Sequence, residues 1–123
     1  MRIPTQTGAK GLITGTISNG ATWRESFEIS ENNAELADAD TSVWKLVFKD
    51  CDSGSPVLTL TSGAEITVTQ NGTETIFAIN TLGVSLKELV GDYHADFACQ
   101  AVDGTVTHWG SGIVTFIDEN LGF

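Results

Sequence analysis

The apolar residues of this chain recur mostly at alternate positions between turn signals, the period of half-buried strands rather than of helices. In the run from Thr22 to Ile29, Trp23, Phe27 and Ile29 share one parity while Arg24, Ser26 and Glu28 take the other, and Glu25 breaks the pattern. Trp44, Leu46 and Phe48 alternate with Lys45 and Lys49, and Leu58 and Leu60 alternate with Thr59 and Thr61. Each run predicts a strand with one face on a core.

Two hairpins follow from turn chemistry. Asn71-Gly72 and Asp103-Gly104 each sit between alternating segments and suit the positive φ of a two-residue type I′ turn. At the first, that turn sets Val68 opposite Thr75, Ile66 opposite Phe77 and Ala64 opposite Ile79, with one face apolar. At the second it sets Cys99 opposite His108, Phe97 opposite Gly110, Ala95 opposite Gly112 and Tyr93 opposite Val114, so that bulky meets small. Between the hairpins, Leu82, Leu86, Leu89 and Val90 have roughly helical spacing, which predicts one short helical crossing of an end of the molecule before Gly91. The acidic stretch Glu31 to Asp40 lacks β-branched residues and fits an exposed connection.

About seven short strands with turn signals roughly every 8 to 12 residues predict an all-β, immunoglobulin-like antiparallel β-sandwich, with a closed barrel as the alternative. Gly91-Asp92-Tyr93, opening a long strand, is placed like a tyrosine corner. The organisation expected is an N-terminal arm or first strand over residues 1–21, followed by one sandwich over residues 22–123. A chain of 123 residues leaves little room for a second core.

Composition narrows the function. The net charge of -10, with six scattered Lys and Arg, disfavours a nucleic-acid partner. No apolar run approaches the roughly 20 residues of a membrane helix, and Met1 to Thr7 has no apolar signal region. The expectation is therefore no nucleic acid, no membrane, and synthesis in a cytosol. Cys51 and Cys99 lack a CxxC spacing and read as free thiols.

Catalysis needs a nucleophile, a base and a group that stabilises developing charge, or else a metal with converging ligands. No motif of that kind is found, so no catalytic residue, cofactor or metal is expected. Trp109-Gly110-Ser111-Gly112 lies within a strand, its glycines read as a bulge or as room for Phe97. Two pairs could bear chemistry: His94 with Asp96, two residues apart on one strand face, and His108 beside Cys99 on the inward face. Both read as structural, as does the scatter of Asp38, Asp40, Asp50 and Asp52 in place of a calcium loop. The informative residues are apolar ones of the wrong parity: Val47, Ile76, Trp109 and Ile113 point away from the face that Trp44, Phe77 and Phe97 define, and are the candidate interface, with Trp109 as its anchor.

The linear order then resembles a known group. A Trp23–Ile29 strand is followed by the Val43–Lys49 strand, the Leu58/Leu60 strand and the Asn71-Gly72 hairpin. A Leu-rich crossing then leads to Gly91-Asp92-Tyr93-His94-Ala95-Asp96-Phe97 and a Gly-centred final hairpin. Over roughly residues 22 to 117 this resembles small tailed-phage virion proteins, in particular the immunoglobulin-like N-terminal domain of upper-baseplate (tail adaptor) proteins, with their Gly-x-Tyr-x-x-Asp strand. The resemblance implies a non-enzymatic virion structural protein of the tail, baseplate or neck, present in many symmetric copies and contacting other virion proteins. Alternatives are a capsid decoration protein and a carbohydrate-binding module that stacks sugars on Trp109.

Overall fold

In the computed structural model, which describes residues 11–122, the alternating runs form eight strands. These are β1 (Gly11–Ser18), β2 (Trp23–Ile29), β3 (Val43–Asp50), β4 (Pro56–Thr61), β5 (Ile66–Gln70), β6 (Thr75–Thr81), β7 (Gly91–Gln100) and β8 (Val106–Ile117), with a 3₁₀ turn at Gly83–Ser85. They make a sandwich of a five-stranded sheet, in the order β1-β8-β7-β3-β4, and a three-stranded sheet, in the order β2-β6-β5. The fold is an immunoglobulin-like β-sandwich: β2, β6 and β5 stand where strands B, E and D of that fold stand, and β3, β7 and β8 where C, F and G stand. One pairing departs from the antiparallel expectation, since β1 runs parallel to β8. Of the segment 1–21 read as an arm or first strand, residues 11–18 form β1; residues 1–10 lie outside the described residues.

The core is aromatic. Trp44 on β3, 1% exposed, lies 4.5 Å from Phe77 of the opposite sheet and 5.3 Å from Phe97 of its own, ring centroid to centroid. Phe77 meets Phe97 edge-on at 5.2 Å and Phe27 in a stack at 5.3 Å, so both sheets contribute to one cluster. Such pairs add about 0.5–1.5 kcal/mol each beyond the area they bury. Tyr93 forms the expected corner: its Oη accepts a hydrogen bond from the Val90 N–H at 3.3 Å, and its ring meets Phe116 edge-on. Cys51 is exposed and Cys99 half-buried, at opposite ends of the β3–β7 ladder; both thiols are free.

The connections are better anchored than their polarity suggests. The acidic stretch turns at Asn32 and Asn33, both at positive φ, then inserts Leu36 and Ala39 into the core. Trp44 Nε1 donates to the Ala39 carbonyl at 2.9 Å, and the Leu36 N–H donates to Thr75 Oγ1 at 2.9 Å. At the other end, the buried Asn19 amide donates to the Leu89 carbonyl and to Asp118 Oδ1, while its Oδ1 accepts from the Glu119 N–H at 2.8 Å. One side chain thereby ties the end of β1, the crossing and the C-terminal segment. The crossing itself buries Leu86 and Leu89 and leaves Leu82 and Val90 exposed.

Both hairpins close differently from the two-residue turns expected. Gln70 pairs with Thr75 and the turn centres on Gly72-Thr73, with Gly72 at φ 92°, because Asn71 Oδ1 accepts from the N–H groups of both Thr73 and Glu74. The register moves by two residues, so every side chain keeps its face: Ile66 meets Ile79 and Val68 meets Phe77. In the second hairpin the loop has an extra residue. The Ala101 N–H bonds to the Thr105 carbonyl and Gly104 sits at φ 91°, the geometry of a three-residue loop. A bulge between Phe97 and Ala98 restores the expected pairs of Phe97 with Gly110, Ala95 with Gly112 and Tyr93 with Val114.

Gly112 has its own steric reason. A Cβ there would fall 1.9 Å from the Ile13 carbonyl oxygen and 2.8 Å from its carbon, both backbone atoms that cannot swing aside. Gly112→Ala is therefore expected to peel β1 from β8, exposing Ile13 and Ile17 and costing about 3 kcal/mol or more in a urea unfolding curve. Faster amide exchange should be confined to β1 and its neighbour, and a loss below about 1 kcal/mol would show that the close approach is not needed.

Candidate functional site

Strand alternation puts one large surface in reach of a partner, the outer face of the five-stranded sheet. Its register builds it row by row. Leu12, Ser111, Asp96, Val47 and Thr59 lie side by side across all five strands, and Thr14, Ile113, His94 and Lys49 form the next row. Lys45, Ala98 and His108 form a row towards one end, and Asp92, Thr115 and Thr16 one towards the other.

The middle of this face is a small polar network. Lys49 Nζ lies 3.0 Å from Asp96 Oδ2, and His94 Nε2 lies 3.5 Å from Asp96 Oδ1. Asp96 is the most enclosed of the three, its side chain 16% exposed, against 36% for Lys49 and 43% for His94. The Lys49–Asp96 ion pair clamps β3 to β7, and His94 stands beside it on β7. Asp92 Oδ1 accepts from Thr115 Oγ1 at 2.6 Å. Around the network the apolar side chains are only partly covered: Leu12 is 62% exposed and Ile113 47%.

The four residues singled out from sequence do not form one patch. Val47 and Ile113 share this face, Val47 half-buried. Ile76 lies half-buried on the outer face of the other sheet, between Glu28 and Thr69. Trp109 is a correction: Ala98 pairs with His108 and Phe97 with Gly110, so Trp109 is the extra residue of the bulge. The bulge turns its ring to pack against the core, 6.1 Å from Trp44, rather than outward. His108 moves the opposite way, since it lies exposed beside Ala98, while Cys99 pairs with Thr107. The Cys99–His108 pair considered from sequence does not exist.

His94 and Asp96 are brought together as their spacing implied, and Lys49 joins them, a partner that only the β3–β7 register reveals. The four loop aspartates do not converge, and among the described residues no group of three or more His, Cys, Asp or Glu is placed to hold a metal ion. Asp50 instead folds onto its own turn, where the N–H groups of Ser53 and then Asp52 hold its carboxyl below the ordinary value of 3.8. The Thr105 N–H does the same for Asp103 in the last hairpin. Each carboxylate steadies its turn at neutral pH, and that contribution is lost as pH falls through its lowered value.

Trp109→Ala is expected to cost about 2–4 kcal/mol in chemical unfolding and to remove near-UV circular dichroism that arises from the Trp44 contact. Trp109→Phe should retain most of the stability. An alanine variant as stable as the parent would return the ring to the surface.

No protein-family model matches the chain, and no curated protein matches it. Among solved structures it is similar to CopC from Methylosinus trichosporium OB3b, at 15% identity over 86% of this chain and 88% of that one, with a TM-score of 0.38. It is similar also to murine CRIg, at 13% identity over 94% of this chain and 93% of that one, with a TM-score of 0.33. Likeness at that level adds nothing to what the strand order already shows.

Proposed function

We propose that this chain is a non-enzymatic structural protein of a tailed-phage virion, an assembly or adaptor module of the tail, baseplate or neck that works by contacting other virion proteins. The single observation that carries the assembly role is the outer face of the five-stranded sheet: five strands wide, with balanced charge and half-exposed apolar residues on both sides of its centre. Surfaces of that composition serve contact rather than chemistry. The phage setting is supported by the sequence resemblance alone, through the Gly91-to-Asp96 strand and the final hairpin. A sugar-binding role has less to stand on, because the ring meant to stack on the sugar is packed beside Trp44.

Light scattering on the full chain, alone and mixed with purified tail, baseplate and neck proteins, tests the reading. The expected result is a monomer or small symmetric oligomer alone and a larger complex with at least one of them. Binding only to assembled capsid shells would make it a decoration protein, and a mass unchanged by every partner would contradict the assembly role.

A further inference from the structure

We propose that Asn71-Gly72 is a self-modifying site, where the folded turn drives conversion of Asn71 to a mixture of aspartate and isoaspartate. The reaction needs a backbone nitrogen to attack the side-chain amide of the residue before it, and glycine, with no Cβ, hinders that nitrogen least. The turn supplies each part of an assisted acyl transfer. The nucleophile is the Gly72 nitrogen, whose N–H donates to Glu35 Oε2 at 2.7 Å, a carboxylate placed to take the proton. The Glu35 N–H in turn donates to the Gly72 carbonyl at 3.3 Å, which holds the acidic connection against the turn. The electrophile is Asn71 Cγ. Its oxygen, Oδ1, accepts from the Thr73 N–H at 3.0 Å, the Glu74 N–H at 2.9 Å and Thr73 Oγ1 at 3.0 Å, three donors aimed where negative charge develops. The leaving nitrogen, Nδ2, donates to Glu74 Oε1 at 3.2 Å. Asn71, Gly72 and Thr73 are exposed, so water reaches the product.

Water is the only co-reactant. Glu35 takes the Gly72 amide proton as the nitrogen bonds to Asn71 Cγ, and Oδ1 carries the negative charge among its three donors. The Cγ–Nδ2 bond then breaks, and ammonia leaves with the proton that Glu35 returns through solvent, closing a five-membered imide across residues 71 and 72. Water opens the ring at Cγ to give aspartate, or at the backbone carbonyl carbon to give isoaspartate, whose main chain is one methylene longer. Either product replaces a neutral amide by a carboxylate and moves the formal net charge from -10 to -11. The same dipeptide occurs once more, at Asn19-Gly20. There the Gly20 N–H donates to Ser18 Oγ at 3.2 Å, a hydroxyl that is no base, and Asn19 is 1% exposed, its amide enclosed by the Leu89 carbonyl and the Glu119 N–H. Two Asn-Gly pairs are equal in sequence; the fold equips one and encloses the other.

Peptide mapping by mass spectrometry tests this on the full chain aged at neutral pH, folded and unfolded in guanidinium, with electron-transfer fragmentation to tell isoaspartate from aspartate. In the folded chain Asn71 is expected to convert several-fold faster than it does unfolded, whereas Asn19 converts only once the chain is unfolded. Glu35→Gln keeps an acceptor for the Gly72 N–H but is no base, and should slow the folded reaction at least about tenfold. Thr73→Val removes one donor to Oδ1 while keeping the backbone N–H, and should slow it several-fold. Both variants, once unfolded, should react at the parent's unfolded rate, which separates loss of assistance from any change in the amide itself. A folded-chain rate at Asn71 equal to or below the unfolded rate shows a turn that protects its amide, and overturns the proposal. A folded rate unaltered by Glu35→Gln overturns it too, leaving the ordinary lability of an Asn-Gly pair.

Discussion

Everything in this molecule depends on one inter-sheet contact, the packing of Phe77 against the stacked pair Trp44 and Phe97. An immunoglobulin sandwich in which no disulfide links the sheets must hold them by packing alone. Here Phe27 and Phe77 from one sheet and Trp44 and Phe97 from the other share a single aromatic cluster, fully or nearly fully buried. The cluster also fixes the loops, because Trp44 spends its indole N–H on the Ala39 carbonyl and so draws the acidic connection over that end of the core. With the inner face committed to packing, function is left to the outer surfaces.

Strand parity decides how far the sequence could be read. The inward set of β2, β3, β4 and β6 was legible because alternation is a local property, and the burial pattern follows it residue by residue. At the Asn71 hairpin the turn centre moved by one residue, which shifts register by two and leaves every face unchanged. At the Asp103 hairpin a third loop residue and a bulge entered together, and between them parity inverted over Val106 to Trp109. Beyond Gly110 it recovered. A bulge has no composition of its own, so the exchange of His108 and Trp109 between faces left no trace that alternation could detect.

The candidate site was legible in proportion to how local its parts are. His94 and Asp96 announce themselves by spacing, whereas Lys49 reaches Asp96 only through the β3–β7 register. Asn19 left no signal at all: its partners are the Leu89 carbonyl and the segment around Asp118, far along the chain, and an isolated Asn before a glycine reads as an ordinary turn. The pairing of β1 with β8 was equally hidden, although the glycines of Trp109-Gly110-Ser111-Gly112 were its marker. Gly112 is small because the backbone of Ile13 passes over it, and Gly110 lies against the Ile13 side chain.

What results is a sandwich whose described polar side chains mostly hold turns and connections, with the outer face of the five-stranded sheet as the surface proposed for contact. Methyl NMR of the full chain, followed as it is titrated with itself or with a virion protein that it binds, tests that division of labour most directly. The account predicts shifts or broadening at Ile113, Leu12 and Val47 while Ile76 on the opposite sheet stays fixed. Changes confined to Ile76, with the five-stranded face silent, would contradict it.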